Sequence, residues 1–155
     1  MSTDPRFAYR ETAARAASPV GRVILLYEQA IQDLGGALSA MSAQDVEQRT
    51  RQLSHALIVI GQLQACLDLD RGGEVARNLD RFYNVVRDRI LEAQIGSSAA
   101  ILREQMDLLL SVRSAWIEVE QRERESATPP AAPKQASALP SEPPANPGKP
   151  QRWRA

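Results

Sequence analysis

The chain has 155 residues, 43% of them hydrophobic, with 19 basic and 19 acidic side chains and a formal net charge of zero, a size that folds as one domain without disulfides or metals. A single cysteine excludes a disulfide framework. Neither a signal-type apolar segment nor a membrane-length one can be read, which predicts a soluble, cytoplasmic protein with no membrane insertion.

Charge is unevenly placed. Residues 18–120 hold ten Arg and fourteen Asp or Glu, whereas 126–155 hold four Lys or Arg and only Glu142. A mildly acidic body argues against a nucleic-acid surface, which needs clustered cations. Arg77, Arg81, Arg87 and Arg89 are interleaved with Asp80 and Asp88, as on a solvated helix face.

Residues 1–17 are small and polar apart from Phe7 and Tyr9, and read as a flexible arm with a short helical turn in ETAARAA. Tyr9 either docks on a nearby apolar surface or stands exposed. Ser18 before Pro19 is a helix start: the hydroxyl caps a free backbone N–H, and proline at the first position loses no needed donor. The first bundle helix then runs from about Pro19 to Ala40. Val20, Ile24, Tyr27, Ile31, Leu34, Leu38 and Met41 form its seam, Val23, Ala30 and Ala37 widen it, and Leu25 and Leu26 fall outside it. Gly35–Gly36 weakens its end or admits another backbone.

Ser42 is expected to cap the second helix, with Asp45 in its first turn, and Gly72–Gly73 to end it. Its seam is Val46, Leu53, Ile60 and Leu67, with Leu57 close by. The run Ala56–Leu57–Ile58–Val59–Ile60 puts apolar groups all round one turn. Such a helix is either central or covered on its outer face by something outside the chain. Cys66, mid-helix among apolar residues, reads as a small buried core residue. In the third helix Val75, Leu79, Phe82, Val86, Ile90 and Ala93 form the seam, with Tyr83, Val85 and Leu91 off it. Gly96 stops it, and Ser97 or Ser98 caps the fourth, about Ser98 to Glu120, which buries Ile101, Gln105 or Met106, Leu108, Leu109, Val112, Trp116 and Val119.

Short connections between four helices of similar length predict an all-α fold, an antiparallel up-and-down four-helix bundle over 18–122. It lies between the arm of 1–17 and a disordered tail of 123–155, where eight of the ten prolines fall from Ser126 on. Trp153, between two arginines in that tail, is a short docking motif or an incidental residue.

Catalytic chemistry is not legible. His55 is the only histidine and reads as a helix-surface residue. No E-x-x-H pair, glycine-rich phosphate loop, CxxC or nucleophile with its base occurs. Asp68 with Asp70, and Glu118 with Glu120, sit at i, i+2 and diverge on a helix. No cofactor, no metal and no enzyme activity are expected.

Four strings carry a resemblance: Tyr9 in the arm; SPVGRVILLYEQAIQDL; LDLDRGGEVARNLDRFYNVVRDRILEAQ; and LLLSVRSAWIEV with Trp116. In this order and spacing they resemble the flagellin export chaperone family, FliS, over about residues 7–120. The third string is the most specific. Gln94 departs from the family's usual Asn, and the proline-rich tail has no counterpart in the family core.

The resemblance implies a helical bundle that binds the disordered C-terminal segment of flagellin in the cytoplasm, blocks its premature polymerisation and delivers it to the flagellar type III export gate. The flagellin-binding residues it implies are Tyr9, Val23, Leu25, Leu26, Tyr27, Ala30, Ile58, Leu67, Asn78, Leu79, Tyr83 and Arg89. Leu25, Leu26, Ile58 and Tyr83 are expected to line exterior grooves. Tyr9 is expected to shield apolar surface until the client arrives. Asn78 and Arg89 either position the client or form internal caps and ion pairs. Two other classes remain: a small helical enzyme of chorismate-mutase type, which needs arginines converging on an enclosed pocket, and a self-associating scaffold.

Overall fold

The structure, a computed structural model, describes residues 4–127, which form five helices and no strand: α1 (Pro5–Ala16), α2 (Pro19–Ser42), α3 (Val46–Ala65), α4 (Gly73–Gly96) and α5 (Ala99–Ala127). The expected tail from 128 onward, with Trp153, lies outside the described residues. The chain divides into two compact units, Met1–Arg122 and Glu123–Ala155. Of the second, the described residues 123–127 are helical and exposed.

The first departure from expectation is α1. Instead of one turn in ETAARAA, a 12-residue helix begins at Pro5, because the Asp4 carboxylate accepts the Arg6 N–H at 3.0 Å and proline occupies the first helical position. It buries none of its residues. It is joined to α2 by a tight corner: Ser18 Oγ accepts the Gly21 N–H at 2.9 Å, capping α2 as the sequence predicts. Gly21 is required there, since a Cβ would lie 1.8 Å from the Arg15 carbonyl oxygen.

Helix α2 holds hydrogen bonds or ion pairs to every other helix. Its Glu28 pairs with Arg15 of α1 and Arg113 of α5, Asp33 with His55 of α3, and Tyr27 with Tyr83 of α4. Ile24, Tyr27, Ala30, Leu34 and Ala37 are fully buried, and Ile31, Leu38 and Met41 pack against the same core. Gly36 receives the side chain of Gln52, not a backbone.

Ser42 closes α2 and does not cap α3. The chain reverses through Gln44 at φ 57°, which moves the cap to Asp45, whose carboxylate accepts the Gln48 N–H at 3.0 Å. In the apolar run of α3, Ala56, Val59 and Ile60 are buried and Leu57 is half-buried, while Ile58 is exposed, so the helix is not enclosed on all sides. Val46, placed on the seam from sequence, is exposed at the first turn.

The helix stops at Ala65, well before the glycines. The Asp68 carboxylate accepts the N–H groups of Asp70 and Arg71 at 3.2 and 2.9 Å, an alternative to helical bonding that the sequence pattern understated. Cys66 therefore sits at a helix end and is exposed, not in the core. Gly73, at φ +59°, supplies the left-handed residue that starts α4.

In α4 the buried stripe is Ala76, Tyr83, Val86, Ile90 and Ala93. It is displaced by one residue from the expected seam at its first half, so Val75 is 69% exposed and Tyr83 is interior. Ser97 ends α4 in the left-handed conformation, and Ser98 Oγ accepts the Ile101 N–H at 3.3 Å to open α5. Helix α5 buries Leu102, Gln105 and Leu109, while Ile101 is half-buried and Leu108 is exposed.

The α1–α2 corner makes a direct prediction. Gly21→Ala forces two backbones apart, and its denaturant midpoint should show a loss of about 1–3 kcal/mol, the usual cost of overpacking. An unchanged midpoint would mean that the corner relaxes freely.

Candidate functional site

Helices α4 and α5 leave a cleft between Val75 and Leu79 on one side and Val112, Ala115, Trp116 and Val119 on the other, with a volume of about 270 Å³. Every lining residue is apolar. The α5 side follows from spacing, because positions 112, 115, 116 and 119 recur on one helical face. The α4 side exists because Tyr83 turned inward and carried Val75 and Leu79 to the edge of the seam. The volume falls below the roughly 300–1,000 Å³ of small-molecule sites, and no polar group is present to orient a substrate. The cleft suits a few aliphatic side chains of a larger partner.

Beneath it lies a polar chain in an apolar setting. The Tyr27 and Tyr83 hydroxyls are 2.8 Å apart and buried, and their rings sit 6.1 Å apart in a tilted arrangement, a favoured geometry for aromatic pairs. The Phe82 ring lies 5.8 Å from that of Tyr83, also tilted. Trp116 is half-buried and packs against the same core cluster. Burial pushes the pKa values of both phenols above the ordinary tyrosine value, that of Tyr83 the further.

An ion network joins α1, α2 and α5. Arg15 reaches the Glu120 carboxylate at 3.0 Å and Glu28 at 3.5 Å, and Arg113 reaches Glu28 at 2.7 Å. Glu120 is only 4% exposed, and its hydrogen bond is the main reason the Arg15 pKa is raised. Thus α1 is fastened at its C-terminal end to α2 and α5.

The sequence-predicted residues distribute as follows. Leu79 alone lines the cleft. Tyr27, Ala30 and Tyr83 are buried, so the expectation that Tyr83 borders an exterior groove is corrected: its hydroxyl is satisfied inside, by Tyr27. Val23, Leu25, Leu26 and Leu67 are half-buried, and Ile58 is 59% exposed on α3. Asn78 is exposed on α4. Arg89 takes the ion-pair alternative, bonding Glu92 at 2.7 Å and Glu104 at 3.3 Å, which raises its pKa.

Tyr9 is 76% exposed on α1, where it lines an open surface hollow with Pro5, Arg6 and Arg10. Val75, Val112, Trp116 and Val119 were legible as seam positions but not as an open edge, since periodicity does not reveal which seam residues a partner helix leaves uncovered. Arg77 and Arg81 are exposed and converge on no enclosed pocket. Among the described residues no cluster of three metal-capable side chains occurs, and no helix is long and apolar enough to cross a membrane.

The cleft of this helical protein is lined by apolar side chains alone, a surface suited to binding aliphatic groups of another chain. The model of the family described as "Flagellar protein FliS" matches residues 2–123. The chain is similar to the flagellar secretion chaperone FliSB of Pseudomonas aeruginosa, with 34% identity over 106 residues, 68% of this chain and 84% of that protein. It is also similar to the flagellar secretion chaperones FliS of Salmonella typhimurium, with 32% identity covering 70% and 82%, and of Vibrio cholerae, with 30% identity covering 67% and 76%. The chain belongs to the FliS family, a family of flagellar chaperones and not of enzymes.

The buried phenols set a stability rule. Tyr83→Phe strands the remaining hydroxyl and should cost about 1–3 kcal/mol in a denaturant titration. Because the folded chain holds both phenols neutral above the ordinary pKa near 10, their contribution is complete below about pH 10. It is lost as pH rises further, by up to about 1.4 kcal/mol per unit for each tyrosine. The variant, with one such phenol fewer, should lose stability less steeply with pH in that range. An identical alkaline slope would contradict the burial argument.

Proposed function

We propose that this chain is a cytoplasmic export chaperone that binds the C-terminal segment of flagellin, prevents its premature polymerisation and presents it to the flagellar type III export gate. The observation that carries this reading is the wholly apolar cleft of α4 and α5 in a protein of this family. A client that is unfolded before export loses chain entropy on binding, so it needs an extended apolar surface to recover affinity. Its aliphatic residues, spaced i, i+3 and i+4, would enter the cleft.

Helices α2–α5 form, in this reading, an antiparallel up-and-down bundle. The pairs Asp33 with His55, Gln64 with Asp80, Glu28 with Arg113 and Arg89 with Glu104 support neighbours running in opposite directions. The client contacts Leu79 in the cleft and continues over Val23, Leu25, Leu26, Ile58 and Leu67. Asn78 and Arg89 border its path, Tyr9 joins it from α1, and Tyr27, Ala30 and Tyr83 support it from within.

Calorimetric titration with a peptide of the last ~45 residues of the same organism's flagellin, a length chosen for coupled folding, should give one-to-one binding and a negative heat-capacity change. Leu79→Glu and Val112→Glu should each weaken binding about tenfold or more by burying an unpaired charge, while Gln32→Glu on exposed α2 surface should not. Unaltered affinity in both cleft variants would remove the cleft from the interface; no binding by the unsubstituted chain would overturn the function.

A further inference from the structure

We infer that His55 is a specificity-determining contact on the client path: Asp33 holds its ring so that Nε2 accepts a hydrogen bond from the flagellin segment as it passes Ile58. The inference deepens the proposed function and rests on it for the identity of the client, but not for the orientation of the ring. His55 is the only histidine of the chain, and its place in the sequence says no more than helix surface. Its partner says more. The Asp33 side chain on α2 is 5% exposed, yet the His55 side chain that reaches it from α3 is 53% exposed.

A buried carboxylate is tolerated only when its oxygens are bonded. Here both are: Oδ1 accepts from Gln29 Nε2 at 3.0 Å, and Oδ2 lies 2.6 Å from His55 Nδ1. A carboxylate can only accept, so Nδ1 carries the proton, and the neutral ring keeps its lone pair on Nε2. Among the described residues nothing bonds that nitrogen. With Nδ1 turned to the buried oxygen, the exposed part of the side chain is the other edge of the ring, Nε2 included. Asp33 is thus a positioning residue, and His55 presents an acceptor whose direction is set from beneath.

Its neighbours give that acceptor a use. Ile58, 59% exposed, stands three residues further along the same side of α3. Gly36 meets Gln52 and Asp33 meets His55, which in the antiparallel reading puts Gln29 level with Val59, beside Ile58. Leu26, half-buried, lies seven residues before Asp33 and so on the same face of α2. Apolar contacts along this path have no direction and tolerate a client that slides. A fixed acceptor does not, because a register that sets an aliphatic group against Nε2 leaves it unpaired. The matching client group is a hydroxyl or a carboxamide one helical turn from the aliphatic residue that meets Ile58.

The test separates the two edges of the ring. His55→Asn keeps an amide donor at the position of Nδ1 for Asp33 and has nothing in place of Nε2. Titrated with the flagellin peptide, it should bind about two- to tenfold more weakly, the worth of one hydrogen bond, with a denaturant midpoint close to that of the parent. In the free parent, nitrogen chemical shifts of the neutral imidazole should show the Nδ1–H tautomer, and Asp33→Ala should lose that preference. Diethyl pyrocarbonate, which acylates exposed imidazole nitrogen, should modify His55 in the free untagged protein, and saturating peptide should slow the reaction.

Unchanged affinity in His55→Asn, or a modification rate that bound peptide does not slow, would overturn the inference and leave the chaperone reading standing. An Nε2–H tautomer in the parent, or the same tautomer in Asp33→Ala, would overturn it in the free protein, without reference to any client. Absence of binding by the parent would overturn the client assignment and this contact with it.

Discussion

The hydrogen bond between the hydroxyls of Tyr27 and Tyr83 is the constraint on which the rest depends. Two phenols are tolerated in an apolar interior only when each has a partner, and the shortest route to a partner was for α2 and α4 to face one another there. That fixes the rotation of α4 about its own axis. With Tyr83 inward, the helix turns Ala76 into the core and Val75 out of it, and the displaced apolar edge meets the stripe of α5 to form the cleft. Specificity of arrangement, rather than net stability, is what this polar pair contributes, since an apolar pair of equal shape would serve as well energetically.

Much of the helical layout was legible from the residues. Ser18 with Pro19 marked the start of α2, Gly96 the end of α4, and Ser97 or Ser98 the opening of α5, where the structure selects Ser98. The seam of α2 was likewise readable, because Ile24, Tyr27 and Leu34 recur with a period that no solvent-facing role explains. What could not be read were features settled by long-range partners. Tyr83 and Phe82 are neighbours on one helix and equally aromatic; which of them points inward was decided by a hydroxyl 56 residues away in sequence.

Local competition accounts for the other differences. The apolar pattern of α3 continues through Leu67, yet Asp68 captures the following N–H groups and ends the helix early, leaving Cys66 at the surface. The arm was underestimated for the converse reason: its composition is polar and it buries nothing, so its helix rests on a cap at one end and an ion pair at the other. The organising element also moved. The sequence draws attention to the hairpin around Gly72–Gly73, whereas the structure is organised by α2, the helix bonded to each of the other four.

The fastening of α1 at one end has a mechanical consequence. A helix of 12 residues has marginal stability alone in water, and here every residue from Pro5 to Arg10 is exposed, while Arg15, Gly21 and Ser18 secure the far end. Free energy of opening must therefore rise along α1 from Asp4 toward Arg15, as in a spring leaf clamped at its root. Phe7 and Tyr9 ride on the compliant part, so they can swing through a wide arc at little energetic cost without disturbing the clamp.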